Sequence, residues 1–324
     1  MKYLGKNLIA ALALLGASAA YASFTPGEMV IVLNSGDGSI SIVDPIAKKE
    51  VKRVPVGKEP HHLMATPDNK ELIVANAASN DLVFLDPKTG ETLRRVPDIS
   101  DPYQIGYSPD KKWFVSVSNR LDRVDIYHAG TFKLARRLPL PKVPSHVAFS
   151  ADSKLAFVTL QESNEYVAID LDRQEVLWKM STGKQPAGIW MTPDDRHLLI
   201  GITGESHLEI YDWRARKMVK RILTGLGAHN FVARGDGRHV FLSNRMANTI
   251  SLVDQQTLEV KETFSVPGGP DCMEITKDGK QLWTTTRWIR MVSVVDLETK
   301  KVVHQIPVGK SPHGLYFISH APRQ

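Results

Sequence analysis

The chain has 324 residues, of which 42% are hydrophobic and 23% charged, proportions that are normal for a globular protein. Its formal charge of +6 is a mild excess that favours anionic partners without singling out nucleic acid, so no nucleic-acid partner is expected. Cys272 is the only cysteine, which excludes an intrachain disulfide.

The N-terminal segment has the pattern of a secretory signal peptide. Lys2 and Lys6 give it a basic start, and the apolar run over residues 8–20 is too short for a comfortable membrane span. Ala20-Tyr21-Ala22 then forms a small-x-small cleavage signal. We therefore expect a signal peptide over residues 1–22, a periplasmic or secreted mature protein, and no membrane span after cleavage.

A repeat of 42 residues runs through the rest of the chain. Turn residues that end apolar runs recur on this grid at Asp44, Asp86, His128, Asp170, Asp212, Asp254 and Asp296. A second grid consists of Pro60, Pro102, Pro144, Pro186, Ala228, Pro270 and Pro312. Each unit contains four short strands separated by turns, with no helical periodicity. This pattern is typical of a β-propeller blade, in which the grid aspartates cap turns.

The number of blades follows from the first strand of each unit. These strands begin at His61, Tyr103, Ser145, Ala187, His229, Asp271 and His313. The N-terminal part of the chain supplies only three strands of a blade, and the C-terminal part supplies only a first strand, HGLYFIS. We therefore predict an all-β fold, a seven-bladed β-propeller of four-stranded blades. It forms one domain over residues 23–324, closed by N- and C-terminal strands that share one blade, and we expect a monomer.

Two family resemblances accompany this pattern. The run VGKEPHHLMATPDNKELIVANAASNDLVFLD, echoed by VGKSPHGLYFIS, resembles the YVTN-type propeller repeats over residues 28–319. That resemblance implies the fold and says little about function, because such propellers serve many roles. The Pro-His heads of the blades also resemble the haem-binding, cytochrome d1-like propeller of cytochrome-type nitrite reductases and its biosynthetic relatives.

The direction of the strands places the loops. The loop that leads into strand one and the loop between strands two and three lie on the same face of the propeller, here called the top face. The first residues of the seven innermost strands, named above, therefore form a ring at the top mouth of the channel, here called the ring. A second level below it contains His62, Gln104, His146, Gly188, Asn230, Cys272 and Gly314. Five of the eleven histidines lie on these two levels.

Basic residues of the top loops surround the ring. They are Arg120, Arg123, Arg245, Arg287 and Arg290, with Trp288 beside them. Arg245 and Arg287 occupy the same repeat position in successive blades. This composition favours a small anionic ligand or a protein partner at the top face.

A transition metal is the sharpest candidate ligand of the ring. We predict a site for copper, zinc or iron formed by His61, His229, Asp271 and His313, which belong to four consecutive blades. Neutral imidazole and carboxylate are common ligands for these ions, and Cys272 is a further candidate ligand. A metal-activated water would make the protein an enzyme, although no catalytic residue is predicted.

Two alternatives to a metal stay open. The second resemblance implies a tetrapyrrole-handling or redox protein, with a haem-like cofactor near His61, His62 and His146 whose carboxylates pair with Arg245 and Arg287. Covalent c-type haem is excluded because the sequence contains no Cys-x-x-Cys-His. In the other alternative there is no cofactor, and the polar ring is solvated or belongs to a surface that binds a protein.

Glu274 differs from the other carboxylates, most of which lie at turn positions. It lies on an innermost strand, where other repeats carry residues such as Met64 and Val232. A buried carboxylate needs a partner, so we interpret Glu274 as an acid satisfied by the channel or by a nearby arginine.

Overall fold

The computed structural model describes residues 24–323, which form seven four-stranded antiparallel sheets arranged as the blades of a β-propeller. The predicted all-β, seven-bladed fold is confirmed. The predicted signal peptide over residues 1–22 lies outside the described residues, as does residue 23, where the predicted domain begins. Across residues 24–323, no helix has the length and hydrophobicity needed to cross a membrane.

The strands follow one another blade by blade. Blade 7 contains β1 (Val30–Asn34), β2 (Ser39–Asp44) and β3 (Lys49–Pro55). Blade 1 contains β4 (Pro60–Ala65), β5 (Leu72–Asn76), β6 (Asp81–Leu85) and β7 (Thr92–Pro97). Blade 2 contains β8 (Gln104–Tyr107), β9 (Trp113–Ser118), β10 (Arg123–His128) and β11 (Lys133–Pro139). Blade 3 contains β12 (Pro144–Phe149), β13 (Leu155–Leu160), β14 (Glu165–Asp170) and β15 (Glu175–Ser181).

The remaining blades repeat this order. Blade 4 contains β16 (Pro186–Met191), β17 (His197–Ile202), β18 (His207–Asp212) and β19 (Lys217–Leu223). Blade 5 contains β20 (Ala228–Ala233), β21 (His239–Asn244), β22 (Thr249–Asp254) and β23 (Glu259–Ser265). Blade 6 contains β24 (Pro270–Ile275), β25 (Gln281–Thr286), β26 (Met291–Asp296) and β27 (Lys301–Pro307). β28 (Pro312–Tyr316) then completes blade 7.

The two ends of the chain close the ring of blades as predicted. β28 pairs antiparallel with β1, with Tyr316 opposite Ile31 and Leu315 opposite Val32. The buried side chain of Asn34 strengthens this closure, since its Oδ1 accepts a hydrogen bond of 2.9 Å from the backbone N–H of Gly309. The joined blade therefore leaves no unpaired inner edge where the chain begins and ends.

Apolar packing lies between neighbouring blades, and the turns hold its register. In each blade the two middle strands are almost wholly buried, whereas the fourth strand is largely exposed. The grid aspartates cap the turn after the third strand: Asp44 Oδ1 accepts hydrogen bonds of 2.8 and 2.9 Å from the N–H groups of Ile46 and Ala47. The repeated turns thus give every blade the same geometry and direct seven innermost strands toward one channel.

The residues after β28 pack against the bottom of the propeller. They run along the end of blade 6, where Ala321 N–H donates to the carbonyl of Ile275 at 2.8 Å and His320 forms a β-bridge with Thr276. Arg323 thereby comes to line the lower part of the channel, whereas the ring forms its top.

Candidate functional site

The ring closes the top of the channel. The rings of His61 and His313 lie 4.1 Å apart between centroids, and His61 stacks on Tyr103 at 3.8 Å. His61 is 6% exposed, and His229 and His313 are each 3% exposed. The ring histidines therefore pack against their neighbours, and they are not the solvated groups of a water-filled mouth that one interpretation of the sequence expects.

Hydrogen bonds between blades fix the tautomers of two ring histidines. His61 Nδ1 lies 2.8 Å from the carbonyl oxygen of Tyr103, and His313 Nδ1 lies 2.6 Å from the carbonyl oxygen of His61. A carbonyl oxygen can only accept, so Nδ1 carries the proton in both imidazoles. Each neutral ring then keeps a lone pair on Nε2, which is the form that binds a metal or accepts a proton.

Asp271 is the centre of the charged part of the ring. Its side chain is fully buried, and Asn230 Nδ2 donates to Oδ1 at 2.7 Å. Arg245 Nη1 and Arg287 Nη1 each donate to Oδ2 at 3.2 Å. Burial by itself opposes ionisation, but the neighbouring His313 and His229, together with the two arginines, hold the pKa of this carboxyl well below its usual range.

The histidines around Asp271 are neutral at pH 7. Burial lowers the pKa of His313 to about 4 and the pKa of His62 and His146 to about 3. Burial also lowers the pKa of His61 and His229 well below the usual value. The charges of the ring are therefore two arginine cations against one aspartate anion, which leaves a net charge of +1.

Asp271, Cys272 and His313 form a group that is able to hold a metal ion. One ligand atom from each lies within 4.8 Å of the others. His313 Nε2 is buried without a hydrogen-bond partner and lies 3.7 Å from Asp271 Oδ2. Burial raises the pKa of the Cys272 thiol well above its usual value, so the thiol is protonated until a metal displaces the proton.

The four predicted metal ligands are only partly brought together. Asp271 and His313 belong to the group described above, whereas His61 and His229 do not. His61 instead stacks on His313, and His229 packs edge-on against His146 with ring centroids 5.2 Å apart. His229 Nδ1 is nevertheless buried without a hydrogen-bond partner, so it remains near the group as an unused nitrogen.

Two cavities adjoin the ring. The channel cavity, of about 280 Å³, lies below it and is lined by His62, His146 and Cys272 among others. The vestibule, an open cavity of about 700 Å³ on the top face, is lined by Arg245 and Arg287. His61 lines both cavities. The five residues predicted to bind a cofactor are thus divided between two compartments, with His61 at the boundary.

Two of the other three predicted top-loop arginines, Arg120 and Arg123, are already paired with carboxylates, and the third, Arg290, does not line the vestibule. Arg120 donates to Asp101 at 2.8 Å and to Glu59 at 2.5 Å. Arg123 forms an ion pair of 3.3 Å with the buried Asp125. Arg245 and Arg287 are therefore the arginines that combine contact with the ring and a surface in the vestibule.

Comparison with known proteins places this architecture in a family. A model of the YNCE-like beta-propeller family matches residues 6–323. The chain belongs to this family. No curated protein matches the sequence as a relative.

Three solved structures share the fold of this chain at low sequence identity. A functionally unknown protein from Desulfotomaculum acetoxidans has a TM-score of 0.77 and 16% identity, covering 91% of this chain and 100% of that one. Dihydro-heme d1 dehydrogenase NirN has a TM-score of 0.67 and 17% identity, and the match covers 90% of this chain and 76% of that one. Hydrazine synthase from Kuenenia stuttgartiensis has a TM-score of 0.67 and 18% identity, covering 78% and 87%. Both resemblances named from the sequence are confirmed at the level of the fold.

Sequence reasoning missed two features of this YNCE-like propeller. Arg323 from the C-terminal tail reaches the channel and donates to Glu274, which confirms that Glu274 is a buried acid with an arginine partner. No sequence signal identifies Arg323 as that partner. Met246 lines the vestibule beside Arg245, as Trp288 does beside Arg287, and aligning the repeats residue by residue reveals this pairing.

Proposed function

We propose that this protein is a binding propeller that captures a small anionic ligand in the vestibule, with Arg245 and Arg287 as the anion-binding groups. One observation carries the proposal: both guanidinium groups converge on the single carboxylate of Asp271, which neutralises only one of their two charges. The two side chains keep 21% and 25% of their surface exposed. Partly desolvated arginines with an uncompensated charge favour an anion over water.

The repeat supports a role for these arginines beyond holding the fold. The equivalent positions in the other five blades carry Ser35, Ala77, Asn119, Gln161 and Thr203. Five of the seven blades therefore carry no charge at this position of the loop. The first arginine already neutralises the charge of Asp271. A second arginine on the same carboxylate adds little to the stability of the fold, because the repulsion between the two cations offsets part of the attraction.

The test is the binding of acetate, measured by calorimetry at low ionic strength. Asp271→Asn removes the carboxylate that competes for the arginines, so acetate affinity should rise about tenfold. A double Arg245→Gln/Arg287→Gln variant should lose about tenfold or more. Arg120→Gln is the matched control on the same face and should change little. Unchanged or weaker acetate binding in Asp271→Asn contradicts the proposal.

A transition metal is the second candidate ligand, favoured by one specific observation. His313 Nε2 has a lone pair, is buried and has no hydrogen-bond partner, and it faces the ionised Asp271 at 3.7 Å. Two electron-rich atoms without a proton between them favour a cation. Imidazole, carboxylate and the thiolate of Cys272 form a ligand set suited to zinc or copper, and a bound ion would activate water. The arginines compete with a cation for Asp271, so this candidate ranks second.

Asp271→Asn separates the two candidates because it acts on them in opposite directions. Zinc binding should fall at least about tenfold in Asp271→Asn and in His313→Gln, whereas acetate binding should rise in the first of these variants. Metal content of the purified protein and a zinc titration are the measurements. Zinc affinity that both variants leave intact excludes this group as the site.

A tetrapyrrole would have more space in the vestibule, of about 700 Å³, than in the channel cavity, of about 280 Å³. His61 is the histidine in position to supply an axial ligand there, since it alone among the predicted cofactor histidines lines the vestibule. The visible absorption of protein from its native host tests this: a Soret-type band supports a tetrapyrrole, and its absence excludes one as a resident group.

We further propose that the protein acts in the periplasm or outside the cell. The support is the basic start, apolar run and Ala20-Tyr21-Ala22 signal of the N-terminal sequence. N-terminal sequencing of protein from the native host should give a start near Ser23. A chain that retains Met1–Ala22 contradicts secretion by cleavage.

A further inference from the structure

We infer that the vestibule selects a small monocarboxylate that bears an apolar, preferably aromatic, group. This inference rests on the proposed function and names the chemical class of its ligand. The arginine pair would bind the carboxylate, and two exposed apolar side chains beside that pair, Met246 and Trp288, would cover the apolar part of the ligand.

The vestibule combines charge with uncovered apolar surface. Met246 is 54% exposed and Trp288 is 50% exposed, and each directly follows one of the two arginines in sequence. All four side chains line the same cavity of about 700 Å³, a volume typical of small-molecule sites. An inorganic anion on the arginines would leave the indole and the thioether in water. A ligand with an apolar arm would cover them.

The repeat again distinguishes these two blades from the others. The positions equivalent to Met246 and Trp288 carry Gly36, Ala78, Arg120, Glu162 and Gly204. The other blades therefore carry a small or charged residue at this position, and the fold does not require a large apolar side chain there. Arg-Met in blade 5 and Arg-Trp in blade 6 give the vestibule one wall that is both basic and apolar.

This wall is held in place by the loops beneath it. Gly227 has a φ of 81°, and a Cβ on it would lie 2.7 Å from the backbone nitrogen of Met246. Gly269 has a φ of 71°, and a Cβ on it would lie 2.6 Å from the indole of Trp288. Arg245 N–H donates to the carbonyl of Gly227 at 2.9 Å, which ties the two loops together. Close backbone approach thus fixes the apolar side chains before a ligand arrives, which lowers the entropy cost of binding.

A carboxylate in the vestibule limits the ligand's charge. Glu59 lines the same cavity, and its partner Arg120, at 2.5 Å, also pairs with Asp101, so two carboxylates share one guanidinium group. A second anionic group on the ligand would approach Glu59 and lose the attraction that the arginine pair supplies. The geometry therefore favours one carboxylate at the arginines and an uncharged remainder.

The experiment compares three probes by calorimetry on the same protein: acetate, phenylacetate and phenylacetamide. Phenylacetate should bind about tenfold or more tightly than acetate because its ring covers the apolar wall. Phenylacetamide should bind at least about tenfold more weakly than phenylacetate because it carries no charge. Phenylacetate should also change the fluorescence of Trp288, which acetate should leave almost unaltered.

Variants then assign the selectivity to the apolar wall. Trp288→Ala should bring the affinity for phenylacetate close to that for acetate, because it lowers phenylacetate binding far more than acetate binding. Met246→Ala should have a smaller effect in the same direction. Leu121→Ala is the matched control, since Leu121 is an apolar top-loop residue that is 45% exposed and does not line the vestibule. These substitutions affect exposed side chains and should preserve the melting temperature.

The failures of the two proposals are distinguishable. Equal affinity for acetate and phenylacetate, or selectivity that survives Trp288→Ala, overturns the ligand class and leaves anion capture intact. Tight binding of phenylacetamide overturns the requirement for a carboxylate. If neither acetate nor phenylacetate binds, both the ligand class and the proposed function are wrong.

Discussion

Arg323→Ala should open the bottom of the channel to small reagents, and the single cysteine of the chain reports the opening. Arg323 donates to the buried carboxylate of Glu274, and both residues line the channel cavity together with Cys272. Burial raises the pKa of Glu274, which reduces the cost of leaving this carboxyl without its partner. The tail keeps its backbone bonds, such as the 2.9 Å bond from Lys277 N–H to the carbonyl of Ser319.

The size of the effect follows from the interaction that is removed. A hydrogen bond to a charged group contributes about 1.5–3 kcal/mol. The side chain of Arg323 is 41% exposed, and solvent screening therefore favours the lower end of that range. Because about 1.4 kcal/mol corresponds to a factor of ten, the tail should open about tenfold more often in the variant.

The assay is the rate at which N-ethylmaleimide modifies Cys272, followed by mass spectrometry. The Arg323→Ala variant should react about tenfold faster than the wild type, by the factor derived above. Arg323→Lys restores the positive charge and should bring the rate most of the way back. An unchanged rate in Arg323→Ala, combined with a faster rate in His61→Ala, would mean that reagents enter through the ring and would refute this reasoning.

Three further predictions concern stability. Gly188→Ala should lower the free energy of unfolding, measured in urea, by about 3 kcal/mol or more. The reason is that a Cβ at Gly188 would lie 1.7 Å from the carbonyl oxygen of His229 in the next blade. Gly130→Ala is the control and should be neutral, because open space surrounds Gly130. Asn34→Ala should cost about 1–3 kcal/mol by leaving a buried N–H unpaired, and more than Asn244→Ala, because Asn244 Oδ1 has no partner to lose. Burial alone would raise the pKa of Glu209, but hydrogen bonds hold this pKa below its usual value. The ionised Glu209 side chain therefore stabilises the folded state above about pH 4.5, and this contribution disappears as the pH falls through the lowered pKa. The stability difference between wild type and Glu209→Gln should therefore shrink toward zero in acid, and a constant difference from pH 7 to pH 3 contradicts this.

The fold could be predicted from the sequence because one turn chemistry recurs in every blade. The grid aspartates and prolines count the blades directly, and the unmatched strands at the two ends predict the shared blade. Strand ends were less predictable. The repeat predicts that a strand begins at Tyr103, but β8 starts at Gln104. Tyr103 N–H is shared between the carbonyl of Asp101 at 2.8 Å, in a local turn, and the carbonyl of Val117 in β9 at 3.0 Å. Such a turn depends on the backbone of one blade and leaves no trace in the repeat.

The sequence predicts where the candidate site lies, but it does not predict which side chains contact one another there. The repeat register places Asp271 and His313 side by side, but it does not say where long side chains reach. Two arginines from top loops extend to Asp271 and neutralise a residue that the sequence suggests as a metal ligand. Likewise, the tautomer of His313 is set by a carbonyl of the neighbouring blade, and the partner of Glu274 comes from the tail. Contacts of this kind depend on rotamers and on the closed ring.

Departure from the repeat is the strongest guide to function in this propeller. Each blade packs mainly on its two neighbours, so a changed top loop costs the fold little and is free to serve a ligand. The Arg-Met loop of blade 5 and the Arg-Trp loop of blade 6 are adjacent, and the residue between the two arginines is Asp271 from the ring. Bringing a ligand's carboxylate to these arginines would weaken their hold on Asp271. On the proposed function, occupancy of the vestibule would be coupled to the electrostatics of His313, because both depend on the charge that Asp271 shares with the same two guanidinium groups.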